Sequence, residues 1–249
     1  MRPFINYIQT GNRPLLMFHG YGQDASVFNG IEGYSIDLFF HGKSVWNKDE
    51  TPIEKSEWKE IIGKFLDDHR IDQFSVLGFS MGGKFAIATL EAFPDRVKEI
   101  ILLAPDGIKT SFWYSLATYP FAFRNLFKST ISNHKRFLRI ATSAKKLGLI
   151  DKGVLRFVET QMDSEEKRKR VYYSWVVFRH LKFDIDKIAK IINDRDIKLT
   201  LLVGRYDKII TAKNMKGLTS RIGNLKFEIL DAGHTSLINK AKDYLPKSS

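Results

Sequence analysis

The chain has 249 residues, 43% of them hydrophobic and 27% charged, with 40 Lys and Arg against 28 Asp and Glu for a formal net charge of +12. That length and balance suit one folded α/β domain, or one with an insertion, and exclude a disordered chain. With no cysteine, disulfides, thiolate metal sites and a cysteine nucleophile are excluded.

In chain order, RPLLMFHGYG (13–22) is a short apolar run ending in a Gly-rich turn, the pattern of a buried strand feeding a loop. GYSIDLFFHGKS (33–44) repeats it. Thr51-Pro52-Ile53-Glu54 predicts a helix start with Thr51 as N-cap and Pro52 at the first helical position. Trp58, Ile61, Ile62, Phe65 and Leu66 would form its apolar side. QFSVLGF predicts a strand, SMGGKFAIATLEAF a helix stopped at Pro94, and VKEIILLAP another strand. KLTLLVG (198–204) and LKFEILDAG (225–233) supply two more, with a helix over 212–222 between them and INKAKDYL as a closing helix. Strands alternating with helices imply a parallel sheet covered on both faces.

Residues 109–190 break that rhythm and read as successive amphipathic helices inserted between two sheet strands, giving a core of 1–108 and 191–249. This segment carries 18 Lys and Arg against 7 Asp and Glu, so nearly all of the excess charge sits in it. Its run Lys167-Arg168-Lys169-Arg170 reads either as a solvated helix face or as a surface that steers toward an acidic partner, such as an anionic substrate, a carrier protein or a membrane surface. Fourteen of the 32 aromatic residues also fall here, so a few of them are expected to give a pocket apolar walls. No nucleic-acid recognition motif accompanies the charge, so no specific nucleic-acid partner is expected. No apolar run approaches the roughly 18 residues that span a bilayer, and MRPFINYIQTGNRP lacks the apolar core of a secretion signal. The expectation is a cytoplasmic protein with no transmembrane segment.

Gly78-Phe79-Ser80-Met81-Gly82 fits G-x-S-x-G between a predicted strand and a predicted helix, where a sharp turn lifts a serine hydroxyl above the sheet edge. A serine hydroxyl needs a general base, and the base needs a carboxylate that fixes its tautomer. His234 follows the last predicted strand and Asp207 the one before it. All strands of a parallel sheet open on one edge at their C-terminal ends, so Ser80, Asp207 and His234 would converge there. The rival acid is Asp106 in LLAPDG. An oxyanion would be held by the backbone amides of Met81, at a helix start, and Tyr21, in the His19-Gly20-Tyr21-Gly22 loop. His19 and His41 read as loop-structuring, His69 as a helix C-terminal residue, His134 as a charged-face residue and His180 as a candidate pocket lining. No histidine pair has metal-ligand spacing and no Gly-rich phosphate loop appears, so neither metal nor cofactor is expected.

HGYG (19–22), IDLFFHGKS (36–44), GFSMGG (78–83), LLVGRYD (201–207) and AGHTSL (232–237), in that order, make the sequence resemble the α/β-hydrolase superfamily along nearly its whole length. The resemblance implies a mostly parallel sheet of about eight strands flanked by helices, with a reduced first strand and a helical cap inserted after the sixth strand. It implies Ser80 as nucleophile, Asp207 as acid, His234 as base and Tyr21 with Met81 as oxyanion amides. The family's second loop reads more like D-x-x-G-H-G-x-S, and here Phe39-Phe40 replaces its small or polar residues. The implied activity is a serine hydrolase acting on a small carboxylic ester or thioester. The alternatives are carbon–carbon bond hydrolysis with the same three residues, or a non-catalytic binding protein on the same fold.

Overall fold

A computed structural model describes residues 3–108, 112–133, 135–136, 138–139, 142–143 and 162–245. Its strands are β1 (Tyr7–Thr10), β2 (Leu15–Phe18), β3 (Gly33–Ile36), β4 (Phe74–Phe79), β5 (Val97–Leu103), β6 (Lys198–Gly204) and β7 (Leu225–Leu230). They form one sheet in the order β1-β3-β2-β4-β5-β6-β7, parallel throughout except where β1 meets β3. The sheet therefore has seven strands where about eight were expected. Ahead of β2 the described residues hold only the four-residue β1, so the long insertion leaves after the fifth strand rather than the sixth.

The central strands are apolar without alternation because helices cover both faces. Leu15, Met17, Leu77, Phe79, Ile101 and Leu103 pack on one face against Leu237, Ile238 and Ala241 of the closing helix (Leu237–Ala241). On the other face the Phe18 ring meets Trp58 of α1 (Lys55–Asp68) at 5.6 Å and Phe85 of α2 (Gly82–Ala92) at 6.4 Å. The Trp58 indole N–H donates to Thr89 Oγ1 at 3.0 Å, so this bulky core residue leaves no buried donor unmet.

Helix α1 begins later than its sequence signal. Its N-cap is Glu54, without a side-chain cap, rather than Thr51. Thr51 instead closes a turn, its N–H donating to the Lys48 carbonyl at 2.9 Å. The expected apolar side is buried at Trp58, Ile62, Phe65 and Leu66, with Ile61 only partly covered. The helix after β6 spans Ala212–Thr219, and the closing helix gives way to a tight turn at Lys242–Tyr244.

The chain divides into two compact units. The first comprises Met1–Asn47, Ile53–Thr110 and His180–Ser249; the second comprises Lys48–Pro52 and Ser111–Arg179. Residues 180–190, read from the sequence as part of the insertion, fall in the first. The second unit contains α3 (Phe112–Thr118), α4 (Phe121–Ser132) and α5 (Glu165–Val177), with Tyr172 and Val176 of α5 packed on Ile131 and Phe127 of α4. Glu50 joins it by accepting from the Tyr172 hydroxyl at 2.9 Å and pairing with Lys128. Burial, followed by the hydrogen bond to Glu50, raises the Tyr172 pKa well above its ordinary value, so this phenol stays a donor. Among the described residues no helix is long and apolar enough to cross a membrane.

The basic run on α5 is largely neutralised where it stands. Lys167 pairs with Asp163 at 2.9 Å, Lys169 with Glu165 at 2.8 Å and Arg170 with Glu166 at 3.0 Å. Arg168 is buried, donating from Nε to the Ile131 carbonyl at 2.7 Å and from Nη1 to the Met162 carbonyl at 3.1 Å.

Candidate active site

Ser80 sits on the turn between β4 and α2 at φ +51°, a conformation that costs a non-glycine residue about 1–3 kcal/mol and persists only where its surroundings enforce it. The enforcing contacts come from the backbone. Ser80 N–H donates to the Leu103 carbonyl at 2.9 Å, and its own carbonyl accepts from Gly83 N–H at 2.9 Å and Asp106 N–H at 2.8 Å. The flanking glycines are required by space. A Cβ on Gly82 would lie 1.9 Å from the Phe18 carbonyl oxygen, and one on Gly78 would lie 2.7 Å from the Gly82 carbonyl oxygen.

Three side chains predicted from the sequence meet above this turn. His234 Nε2 lies 2.9 Å from Ser80 Oγ, and His234 Nδ1 lies 2.6 Å from Asp207 Oδ2. Asp207 Oδ1 accepts from the amides of Ile209 (2.8 Å) and Ile210 (2.9 Å), so both carboxylate oxygens have donors. Burial alone would raise the Asp207 pKa. The hydrogen bonds from His234 and from Ile210 and Ile209 outweigh it, and the carboxyl stays below its ordinary value. An ionised Asp207 accepts from Nδ1–H, which leaves Nε2 with a lone pair aimed at the Ser80 hydroxyl. Strands β4, β6 and β7 deliver the three residues from their C-terminal ends.

The rival acid points elsewhere. Asp106 Oδ2 pairs with the buried Lys84 ammonium at 3.0 Å and its Oδ1 accepts from Gly107 N–H at 2.7 Å. Nothing in the sequence singled out Lys84; its spacing of one helical turn from Ser80 was the available signal. Met81 is the N-cap residue of α2 and is buried. Tyr21 lies in the loop after β2, the strand that pairs with β4, so this loop and the Ser80 turn leave the sheet from adjacent strands. Gly20 presses on Phe79, since a Cβ there would lie 3.0 Å from its ring.

The other histidines hold loops. The buried His19 accepts from Leu38 N–H at Nε2 (2.9 Å) and donates from Nδ1 to the Gly20 carbonyl (2.8 Å), tying the loops after β2 and β3 together. Burial lowers its pKa against the opposing pull of the Gly20 hydrogen bond and Asp37. Asp37 is a second hub that the sequence did not announce, accepting from Asn6 Nδ2 (2.8 Å), Ala25 N–H (2.7 Å) and Lys43 N–H (2.8 Å). Phe39 is buried against Trp46, with ring centroids 5.1 Å apart, while Phe40 takes φ +66°. His41 Nδ1 lies 3.0 Å from the Phe39 carbonyl, and His69 caps α1 through the Phe65 carbonyl at 2.8 Å. His180 pairs with Glu54 at 2.6 Å, and His134 lies outside the described residues. A shallow depression of about 760 Å³, bordered by Asn193, Asp196, Arg221 and Asn224, lies at the N-terminal ends of β6 and β7, the far end of the strands from Ser80.

The family model for the alpha/beta hydrolase fold matches residues 13–241. Over 166 residues the chain is 28% identical to a pimeloyl-[acyl-carrier protein] methyl ester esterase of Nitrosomonas europaea, covering 59% of this chain and 63% of that protein. Over 250 residues it is 25% identical to a poly(3-hydroxyalkanoate) depolymerase of Ectopseudomonas oleovorans, covering 94% of this chain and 82% of that one. For three of its curated relatives the chain spans 63%, 53% and 30% of their own length. Among solved structures, an esterase from Thermogutta terrifontis superposes with a TM-score of 0.67 over 97% of this chain and 89% of its own, at 17% identity, a likeness of fold. The chain belongs to the alpha/beta hydrolase fold family.

Proposed function

We propose that this protein is a serine hydrolase that cleaves a small carboxylic ester or thioester through an acyl-enzyme on Ser80. The observation that carries the reading is the continuous hydrogen-bonded line from Asp207 through His234 to Ser80, at 2.6 Å and 2.9 Å. In the first step His234 Nε2 takes the Ser80 proton as Oγ attacks the acyl carbon. Asp207 stabilises the imidazolium, and the amides of Met81 and Tyr21 receive the oxyanion. His234 then passes that proton to the departing alcohol or thiol. In the second step His234 takes a proton from water, hydroxide attacks the acyl carbon, and the proton returns to Ser80 as the acid leaves. The activities of the relatives favour an ester substrate, and the acyl-carrier methyl ester of one of them fits an anionic or carrier-bound substrate. We read residues 109–190 as the helical cap of this enzyme and cytoplasm as its compartment.

The test is turnover of a chain-length series of nitrophenyl esters and acyl thioesters by the wild type and Ser80→Ala. Hydrolysis of some member by the wild type alone supports the reading. Equal hydrolysis by both proteins overturns it.

A further inference from the structure

The sheet ends on β7, and among the described residues its outer edge pairs with no strand. Two hydrogen bonds fix which residues face that edge. Leu199 N–H donates to the Asn224 carbonyl at 3.0 Å and Arg205 N–H to the Leu230 carbonyl at 2.8 Å. Backbone groups alternate sides along a strand, so Lys226 and Glu228 also address β6, while Leu225, Phe227 and Ile229 turn their N–H and C=O groups outward. Side chains alternate as well. Phe227 and Ile229, 37% and 44% exposed, share one face with Leu225; Lys226 and Glu228 share the other.

An outward row of three donors and three acceptors is a template for another strand. The charges select which strand and which register. Consider a second β7 laid antiparallel with Phe227 opposite Phe227. Leu225 then faces Ile229 of the second copy in both directions, and every outward N–H meets an outward C=O. Lys226 faces Glu228 twice, and on the other face Phe227 meets Phe227 while Ile229 meets Leu225. Sliding by two residues one way sets Lys226 against Lys226, and sliding the other way sets Glu228 against Glu228, both repulsive. A slip of a single residue sets outward groups against inward ones. The opposite edge, β1, offers four uncharged residues, YIQT, and nothing comparable to choose a register.

We propose that the protein forms a two-fold dimer in which the β7 strands of two copies pair antiparallel about Phe227, joining two seven-stranded sheets into one. The interface is isologous, so it closes at two copies. Lys226 lies 5.3 Å from the Tyr244 ring of its own chain, which holds the ammonium at this face of the strand.

The test is the solution mass of the full chain by light scattering and sedimentation, for the wild type and three variants. The wild type should weigh twice the 28.7 kDa of one chain. Glu228→Lys should be monomeric, and the double swap Lys226→Glu with Glu228→Lys should restore the dimer, because the opposed signs are exchanged. Ile229→Pro removes an outward N–H that β6 does not use, so it should be monomeric with an unchanged far-ultraviolet spectrum. A wild type that stays monomeric at every concentration overturns the proposal. So does a dimer that survives both Glu228→Lys and Ile229→Pro, or a double swap that fails to restore the mass.

Discussion

The Ser80 group and helix α5 both concentrate polar side chains, and they satisfy them by opposite means. Ser80, Asp207 and His234 are brought together from sequence separations of 154 and 27 residues, in largely buried surroundings where His234 is held between Asp207 and Ser80 and Asp207 also takes two backbone amides. Along α5 and the turn that leads into it the partners lie four residues apart at exposed positions, where solvent screens each pair. The first arrangement exists only if the whole sheet is assembled; the second forms within a single helical turn. Removing one member should therefore be severe in the first case and slight in the second. Arg168 separates the two cases, because it sits in the basic run yet is buried like a core residue.

The largest effect expected is on Ser80→Ala, which should lower kcat/KM by at least about 10⁴-fold with an unchanged far-ultraviolet spectrum. Asp207→Asn should cost on the order of 10³–10⁴-fold, because the amide cannot hold the imidazole in the same tautomer. Asp106→Asn should cost far less, since its backbone N–H still reaches the Ser80 carbonyl. Steady-state kinetics of the pair ranks them, and the reverse order would move the acid to Asp106.

Next in size is Gly82→Ala. A methyl group 1.9 Å from the Phe18 carbonyl has nowhere to go without moving β2 from α2, so a loss of about 3 kcal/mol is expected in a denaturant titration. Arg168→Met should cost about 2 kcal/mol by stranding the Ile131 and Met162 carbonyls. Lys169→Ala on the same helix should leave the melting temperature unmoved. Equal effects at 168 and 169 would erase the distinction between the buried and the solvated cation.

The smallest effect concerns pH. The Asp207 carboxyl is held below its ordinary value, so its stabilisation is complete above about pH 4 and is lost as pH falls through the lowered native value. Acid unfolding of Asp207→Asn should accordingly be less steep than that of the wild type below about pH 4.

Much of the first unit was legible because its signals are local or geometric. The run KLTLLVG is β6 from end to end, and the two glycines around Ser80 stand where any Cβ would strike backbone. Asp207 and His234 were legible because parallel strands share one C-terminal edge. The start of α1 was not legible. Thr51-Pro52 is a good helix opening, yet the turn at Lys48 and the engagement of Glu50 by Tyr172, 122 residues away, take that stretch out of the helix. The basic run left two readings open for a related reason. Charge counted along the sequence omits the acids one turn away and the carbonyls that claim Arg168.

The measurement that tests the account most directly is the intact mass of the folded protein after exposure to a fluorophosphonate, beside Ser80→Ala and Asp207→Asn. An activated Ser80 predicts one adduct on the wild type, none on Ser80→Ala and a much slower one on Asp207→Asn. An adduct that persists on Ser80→Ala, or none on folded wild type, would contradict the assignment of Ser80 as nucleophile.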